Sequence, residues 1–345
     1  MTRLVLLGSG PLHLRWLRAL ARARARAPAG PAPADLEVCW VVPFAERLHA
    51  PMLPALVAGR CSVAQASIAL RPLAEAARVA LVESPVLAVD AAARRVTLGN
   101  GDVIEADAVS ADADPVVDRD AIPGAREHGL FLRPLEHFAR LLEPLLALAA
   151  ERVLDVVVVG GDLAAVELAL ALQQRLAGGG EERARVALVS GGPAPLLGQP
   201  STGVDRLRPA LEVDRVRRTL VRQRITVFPD ACARIEAGML HLASGARLAC
   251  DAPLIADGGA PPPWLVASGW QAVDHGRYAI GDLPPLPSLP PWPASPPAAA
   301  PRLQWLITGD GGAIAWHGAP AWQGRWLGGW KERAERRAVA RLARP

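Results

Sequence analysis

Two short glycine-containing turns hold the residues of this chain best suited to chemistry. Gly8-Ser9-Gly10 follows the apolar run Leu4 to Leu7, and Gly160-Gly161-Asp162 follows the four valines Val156 to Val159. A helical pattern starts directly after each turn; after the second, Ala164, Leu168, Ala169 and Leu172 recur at helical spacing. The start of a helix offers unpaired N–H groups and the positive end of its dipole. Strand, glycine turn and helix in that order therefore make a receiver for phosphate, above all for the pyrophosphate of a dinucleotide. One such match carries little weight, since glycine turns between strand and helix are common. Two in one chain, each followed by the same later elements, carry much more.

Those later elements follow in order. After the first turn come a helix from Leu12 to Arg26, a Pro/Gly loop from Ala27 to Asp35, a strand from Leu36 to Val42, and a short helix or turn from Leu53 to Gly59. Strand-like runs at 78–82, 86–89, 95–98, 103–105 and 108–111 follow, with Asn100-Gly101 as a hairpin turn. After the second turn the same order returns: a helix, a strand at 185–190, a helix at 207–222, a strand at 225–228, a hairpin turning at Ser244-Gly245, and a strand at 253–256. The chain reads as two copies of one dinucleotide-binding design. The expected fold class is α/β, with two Rossmann-like domains and a short α+β C-terminal region. The expected divisions are 1–112, 113–252, a return to the first domain over 253–300, and a C-terminal part over 301–345.

Composition narrows the function classes. The 345 residues are 51% hydrophobic and 21% charged, ordinary for a globular protein, and can hold two or three domains. The net charge of +4 is small and spread out, which speaks against nucleic acid; Arg22, Arg24 and Arg26 close the first helix, where positive charge suits the dipole. Lys331 is the sole lysine. The four cysteines, Cys39, Cys61, Cys232 and Cys250, form no CxxC pair, which argues against a metal site and a redox-active disulfide. No apolar stretch has the length of a membrane span, and the first apolar run is too short for a signal peptide, so a cytoplasmic protein is expected. The proline-rich stretch from Asp282 to Pro301 reads as a linker or surface loop. Strands are expected at 304–307, 313–316 and 321–327, then a basic helix from Trp330 to Ala343. Trp322, Trp326 and Trp330 with Lys331, Arg333, Arg336 and Arg337 would suit a peripheral membrane contact. Gly324, Gly328 and Gly329 are expected to break any helix through the tryptophans, so core packing or a homo-oligomer contact is the favoured reading.

Several stretches together resemble the pyridine nucleotide-disulfide oxidoreductase superfamily. They are GSGPLHLRWL at Gly8, PMLPALVAGR at Pro51, LRPLAEAA at Leu70, RRVTLGNGDVIEADAVS, VVVVGGDLAAVELAL, IADGGAPPPWL at Ile255, and LITGDGGAIAWHG followed by GRWLGGWKERAERR. The chain is most similar to its type II NADH dehydrogenase-like members and to the FAD oxidoreductases associated with selenophosphate synthase. The resemblance implies FAD at Gly8, Ser9, Gly10, Pro11 and Leu12, and NADH or NADPH at Gly160 and Gly161. His13 stands where a third glycine would, as a capping or packing residue. Val42-Pro43 replaces the usual acidic ribose ligand, which leaves Pro43 lining the cofactor, and Gly258 belongs to the same implied set. Glu167 matches the family's glutamate in the second helix. It either faces the flavin or the electron acceptor, as a catalytic residue, or is simply a carboxylate favoured near a helix N-terminus.

Two departures from the pattern stand out. Asp162 occupies the second glycine of the second turn, where a carboxylate about 4 Å from a phosphate charge costs roughly 4 kcal/mol at an effective dielectric near 20. It could instead turn outward as a helix cap. Near the C-terminus, Tyr278-Ala279-Ile280-Gly281-Asp282 is either the second FAD motif, with Asp282 on the ribityl chain, or the strand before it with the motif deleted. Asp274-His275-Gly276 slightly favours deletion. The implied activity is transfer of hydride from NAD(P)H to FAD and on to a quinone or another small acceptor, with no cysteine pair as relay. The alternative is a paralogue that keeps the fold as a binding or regulatory protein. Ser190-Gly191-Gly192 offers neither the acidic residue of an NADH site nor the arginine of an NADPH site.

Overall fold

A computed structural model of the chain describes residues 2–26, 36–177, 183–191, 210–256, 259–268, 272–274, 277–280, 303–317 and 320–344. β1 (Thr2–Leu7) runs into the first glycine turn and α1 (Pro11–Arg26), and β2 (Leu36–Val42) returns parallel to β1 with Leu4 beside Val38. Proline at the first position of α1 loses no intrahelical bond there, and Leu14, Leu17, Leu20 and Ala21 form the buried stripe that packs the helix on the sheet. α2 (Leu53–Val57) precedes β3 (Ala80–Glu83). An antiparallel excursion of β4 (Val86–Asp90), β5 (Arg95–Leu98) and β6 (Val103–Glu105) turns at Gly101, whose φ of +88° suits glycine. It leads to β7 (Ala108–Ala111), which pairs parallel to β1 on the side away from β2.

The second unit is led in by β8 (Leu130–Phe131) and α3 (Leu135–Glu151). It then repeats the order with β9 (Leu154–Val159), α4 (Leu163–Ala177), β10 (Ala184–Val189), α5 (Ala210–Arg222) and β11 (Thr226–Phe228). Its excursion is β12 (Cys232–Glu236), β13 (Met239–Leu242) and β14 (Arg247–Ala249), and β15 (Ala252–Ile255) pairs with β9 as β7 does with β1. The two sheets thus share the strand orders β7-β1-β2-β3 and β15-β9-β10-β11. The second sheet extends past residue 252, since β15 spans that position.

β16 (Ala272–Asp274) and β17 (Arg277–Ile280) extend the first sheet, with β17 antiparallel to β7. The strand leading into Gly281 and Asp282 therefore sits beside the first unit's own sheet, while Gly281, Asp282 and the proline-rich stretch lie outside the described residues. The C-terminal part is a three-stranded antiparallel sheet, β18 (Gln304–Ile307), β19 (Ala313–Trp316) and β20 (Ala321–Gly324), followed by α6 (Arg325–Ala343). One apolar cluster joins Leu6, Leu17 and Val57 of the first unit to Val156 and Leu168 of the second and to Leu306 of β18. All three parts are packed on this one core.

Two expectations for the C-terminus are overturned. The expected strand at 321–327 ends at Gly324, and α6 begins at Arg325 and passes through Trp326, Gly328, Gly329 and Trp330. Glycine does not break the helix here because Gly328 is a packing position. A Cβ at Gly328 would lie 2.2 Å from the carbonyl oxygen of Gly311, so its absence lets the helix rest on the β18–β19 turn. Nor do the tryptophans pack in the core: Trp322, Trp326 and Trp330 are 46%, 68% and 55% exposed.

The two neighbouring glycines should respond oppositely to the same change. Gly328→Ala should cost about 1–3 kcal/mol through overpacking, despite alanine's better helix propensity. Gly329→Ala, with nothing within 4 Å of its added Cβ, should gain up to about 1 kcal/mol. Urea denaturation of the two variants checks both signs.

Candidate functional site

The first glycine turn is held from three directions. Gly8 has φ +93°, and its carbonyl oxygen accepts hydrogen bonds from the indole N–H of Trp40 and from Nδ1 of His13, both at 2.9 Å. A carbonyl only accepts, so Nδ1 carries the proton and Nε2 faces the Ser110 hydroxyl at 3.0 Å. His13 is thereby a fully buried packing residue of the turn. The third restraint is Asp112, directly after β7, which the sequence reading passed over. Its backbone N–H donates to Leu7 and its carbonyl accepts from Gly10 N–H at 2.8 Å. Its carboxylate Oδ2 accepts from the N–H groups of Leu12 at 2.7 Å and His13 at 3.0 Å, the free donors at the start of α1.

Around that turn, Ser9 is buried and its hydroxyl accepts from Arg47 Nη1 at 3.2 Å, while the same guanidinium pairs with Asp114. Pro43 stands exposed at the end of β2. The second turn has the same frame. Gly160 N–H donates to Val189 as Gly8 N–H does to Val41, and a Cβ at Gly161 would lie 2.3 Å from the Ser190 carbonyl oxygen. Asp162 caps α4, its Oδ1 accepting from Ala165 N–H at 2.8 Å. The helix-capping alternative raised for this residue is the geometry observed.

Glu167 lies one turn further along α4, at the wall of a small cavity between α2, residues 132–135 and α4. Burial pushes its carboxyl up to about 7, against the opposing pull of the Ile307 N–H, which donates to Oε1 at 2.7 Å, and of Lys331. The negative charge of Asp162 adds to the rise. The cavity measures about 50 Å³, far below the roughly 300–1,000 Å³ of small-molecule sites.

No protein-family model and no curated protein matches the sequence. Solved structures do match. The sulfide:quinone oxidoreductase of the hyperthermophilic bacterium Aquifex aeolicus superimposes with a TM-score of 0.69 at 16% identity, covering 99% of this chain and 92% of that one. A ferredoxin reductase from Rhodopseudomonas palustris gives 0.63 at 15% identity, over 91% and 82% of the two chains. NDH2 from Plasmodium falciparum, solved in complex with NADH, gives 0.62 at 14% identity, over 76% of this chain and 56% of that one. The chain has their fold.

Against this fold the implied dinucleotides can be tested for fit. In the first turn Gly8 has a left-handed φ, and a Cβ at either Gly8 or Gly10 would strike Asp112 within 2.5 Å. The space that Gly10 leaves, however, is filled by the Asp112 carboxylate. In the second turn the cap on α4 is Asp162. Each helix start that would meet a phosphate already meets a carboxylate of the chain. Gly8, Ser9, Gly10, Pro11 and Leu12 are brought together at one helix end and Gly160, Gly161 and Asp162 at the other, with Glu167 beyond the second; Gly258, Gly281 and Asp282 lie outside the described residues.

α6 is joined to His49 and Arg60 through ion pairs. Glu335 accepts from His49 Nε2 at 2.7 Å and from Lys331, and Glu332 accepts from Arg60 at 2.7 Å and Arg336 at 2.8 Å. Burial acts to raise the Glu335 carboxyl, but the His49 and Lys331 hydrogen bonds outweigh it and hold the group at about 2. Trp330 stacks on Trp305 at 5.3 Å, with Lys331 over the same Trp305 ring. Among the described residues no helix is long and apolar enough to cross a membrane.

The two carboxyls give stability opposite dependences on pH. Glu335 is depressed, so its contribution is present above the usual 4.5 and is lost as pH falls toward 2. Glu167 is raised, so the stability of its neutral form is complete below 4.5 and is lost as pH rises through about 7. In urea denaturation across this range, Glu335→Gln should be destabilised at neutral pH and converge on wild type in acid. Glu167→Gln should remove the decline that wild type shows between 4.5 and 7.

Proposed function

We propose that the chain is an FAD-dependent oxidoreductase that takes hydride from NADH or NADPH and passes electrons directly to a small acceptor such as a quinone. The observation that carries this reading is Glu167, a carboxyl poised near neutrality at the wall of the cavity between two glycine-turn units. A group with a pKa near the working pH both gives and takes protons efficiently. Reduction of a quinone consumes protons as well as electrons, and Glu167 would supply one of those protons.

The other roles follow from position. Gly8 to Leu12 would hold the FAD pyrophosphate on α1 once Asp112 yields. Gly160 and Gly161 would admit the nicotinamide nucleotide, with Asp162 as the residue that weakens it. Bound flavin supplies the chemistry that links a two-electron donor to an acceptor. Lys331 and the Ile307 N–H stabilise the ionised form of Glu167 after it has given up its proton. A thiol relay has little support: burial raises Cys232 to about 11 and Cys250 to about 12, which keeps both protonated and poorly nucleophilic.

A second reading is favoured by one specific observation, the carboxylates on the N-termini of α1 and α4. A chain that fills both phosphate positions with its own side chains would keep the fold as a binding or regulatory protein.

The absorption spectrum of the purified chain separates the two readings. A flavin band, native or after reconstitution with FAD, that bleaches on anaerobic addition of NADH is the expected result. A chain that stays colourless after reconstitution supports the second reading. In the active protein, Glu167→Gln should lower quinone reduction by about 10²–10⁴-fold and remove the limb of the pH profile near 7, while NADH still bleaches the flavin band.

A further inference from the structure

The two units can be laid on one another residue by residue through their hydrogen bonds. Asp112 N–H donates to the Leu7 carbonyl and Ala256 N–H donates to the Val159 carbonyl, both at 2.9 Å, so Asp112 and Ala256 occupy the same place after β7 and β15. By the same correspondence Gly8 matches Gly160, Ser9 matches Gly161 and Gly10 matches Asp162. The pair facing each helix start is therefore exchanged. In the first unit the turn has glycine and the strand end has aspartate; in the second the turn has aspartate and the strand end has buried alanine.

Size shows that the exchange is reciprocal. A Cβ at Gly10 would lie 2.1 Å from Cγ and from Oδ1 of Asp112, so a carboxylate fits on α1 only because Gly10 has no side chain. The carboxylate is the buried partner of two helix N–H groups. The backbone of Asp112 is pinned by Leu7 and Gly10, which leaves rotation of its side chain as the only way to clear the helix end. Nearby charges do not welcome a further anion: Asp112 and Asp114 outnumber Arg47, which is already paired with Asp114.

We infer that Asp112 is an internal competitor for the phosphate position of the first turn, so that a dinucleotide binds there only by displacing the Asp112 carboxylate from α1. This rests on the oxidoreductase reading only for the class of ligand, a dinucleotide carrying a pyrophosphate. Asp112 is a specificity-determining residue of that site and sets how readily the chain holds FAD.

The test is titration of the flavin-free full chain with FAD, ADP and riboflavin, for wild type, Asp112→Asn and Asp112→Ser. Both replacements can still cap α1, and asparagine is as good a cap as aspartate, so the variants lose charge and keep the cap. The expected result is at least tenfold tighter binding of FAD and ADP by both variants, with riboflavin, which has no phosphate, unchanged. Equal or weaker FAD and ADP binding by the variants, or no binding to any form, overturns the inference. Tight FAD binding by wild type without gain in the variants overturns it while leaving the oxidoreductase reading standing. A gain in the variants with no bleaching of bound flavin by NADH upholds it and removes that reading instead. If the variants do not fold, a crystal of wild type soaked in ADP decides: phosphate at Leu12 N–H with Asp112 rotated away supports the inference, and phosphate bound with Asp112 still on α1 overturns it.

Discussion

The start of α1 must satisfy free N–H groups that a buried helix end cannot leave to water, and much of the first unit is arranged to do so. Asp112 reaches them from a strand about a hundred residues away in sequence, and its position depends on β7 lying in register beside β1. Gly10 is glycine because that carboxylate needs the room. The Gly8 carbonyl, turned out by a positive φ, is met by Trp40 and His13. His13 is held in turn by Ser110, two residues before Asp112. One anion at one helix end thus ties together β1, β2, α1 and β7, and any larger anion has to enter that closed set of contacts.

The second unit meets the same requirement more locally and more loosely. Asp162 caps α4 from within its own turn and is exposed, whereas Asp112 is buried. The charge of Asp162 is still felt further along the helix, where it adds to the rise of Glu167. Lys331 of α6 pulls the other way, and the same lysine pairs with Glu335 on the next turn of its helix. The proton affinity of the cavity wall therefore depends on where the C-terminal helix sits. α6 is located by Gly328 against the β18–β19 turn and by Glu332 and Glu335 against Arg60 and His49, so helix docking and the chemistry of Glu167 are two aspects of one set of contacts.

The fold was legible where local pattern and tertiary role agree. Leu36–Val42, Arg95–Leu98, Val103–Glu105 and Ala108–Ala111 stand as strands at the bounds read from sequence, because alternation, β-branched runs and the Asn100-Gly101 turn all point one way. The repeat of the two units was visible for the same reason. α3 is hidden in the sequence: its buried positions, Leu135, Phe138, Leu142, Leu145 and Ala149, form a narrow stripe, and Pro144, exposed and inside the continuous helix, reads locally as a helix breaker. α6 was read as starting too late, since glycine lowers helix propensity everywhere except where a neighbour needs its missing Cβ, and that neighbour, Gly311, is distant in sequence.

The site was legible in its glycines but not in its charges, and the reason is physical. A glycine turn is a local device and leaves a local signature. The carboxylate that fills it comes from another strand, and nothing in the run VSADAD marks Asp112 until the register of β7 on β1 is known. The one signal available was comparative. Once the chain is recognised as two copies of a unit, the residue after the last strand of each copy can be set side by side, and aspartate in one against alanine in the other is the mirror of glycine against aspartate in the turns. Both departures then reduce to one rule, that each helix start has room for one carboxylate and each unit supplies it from a different side.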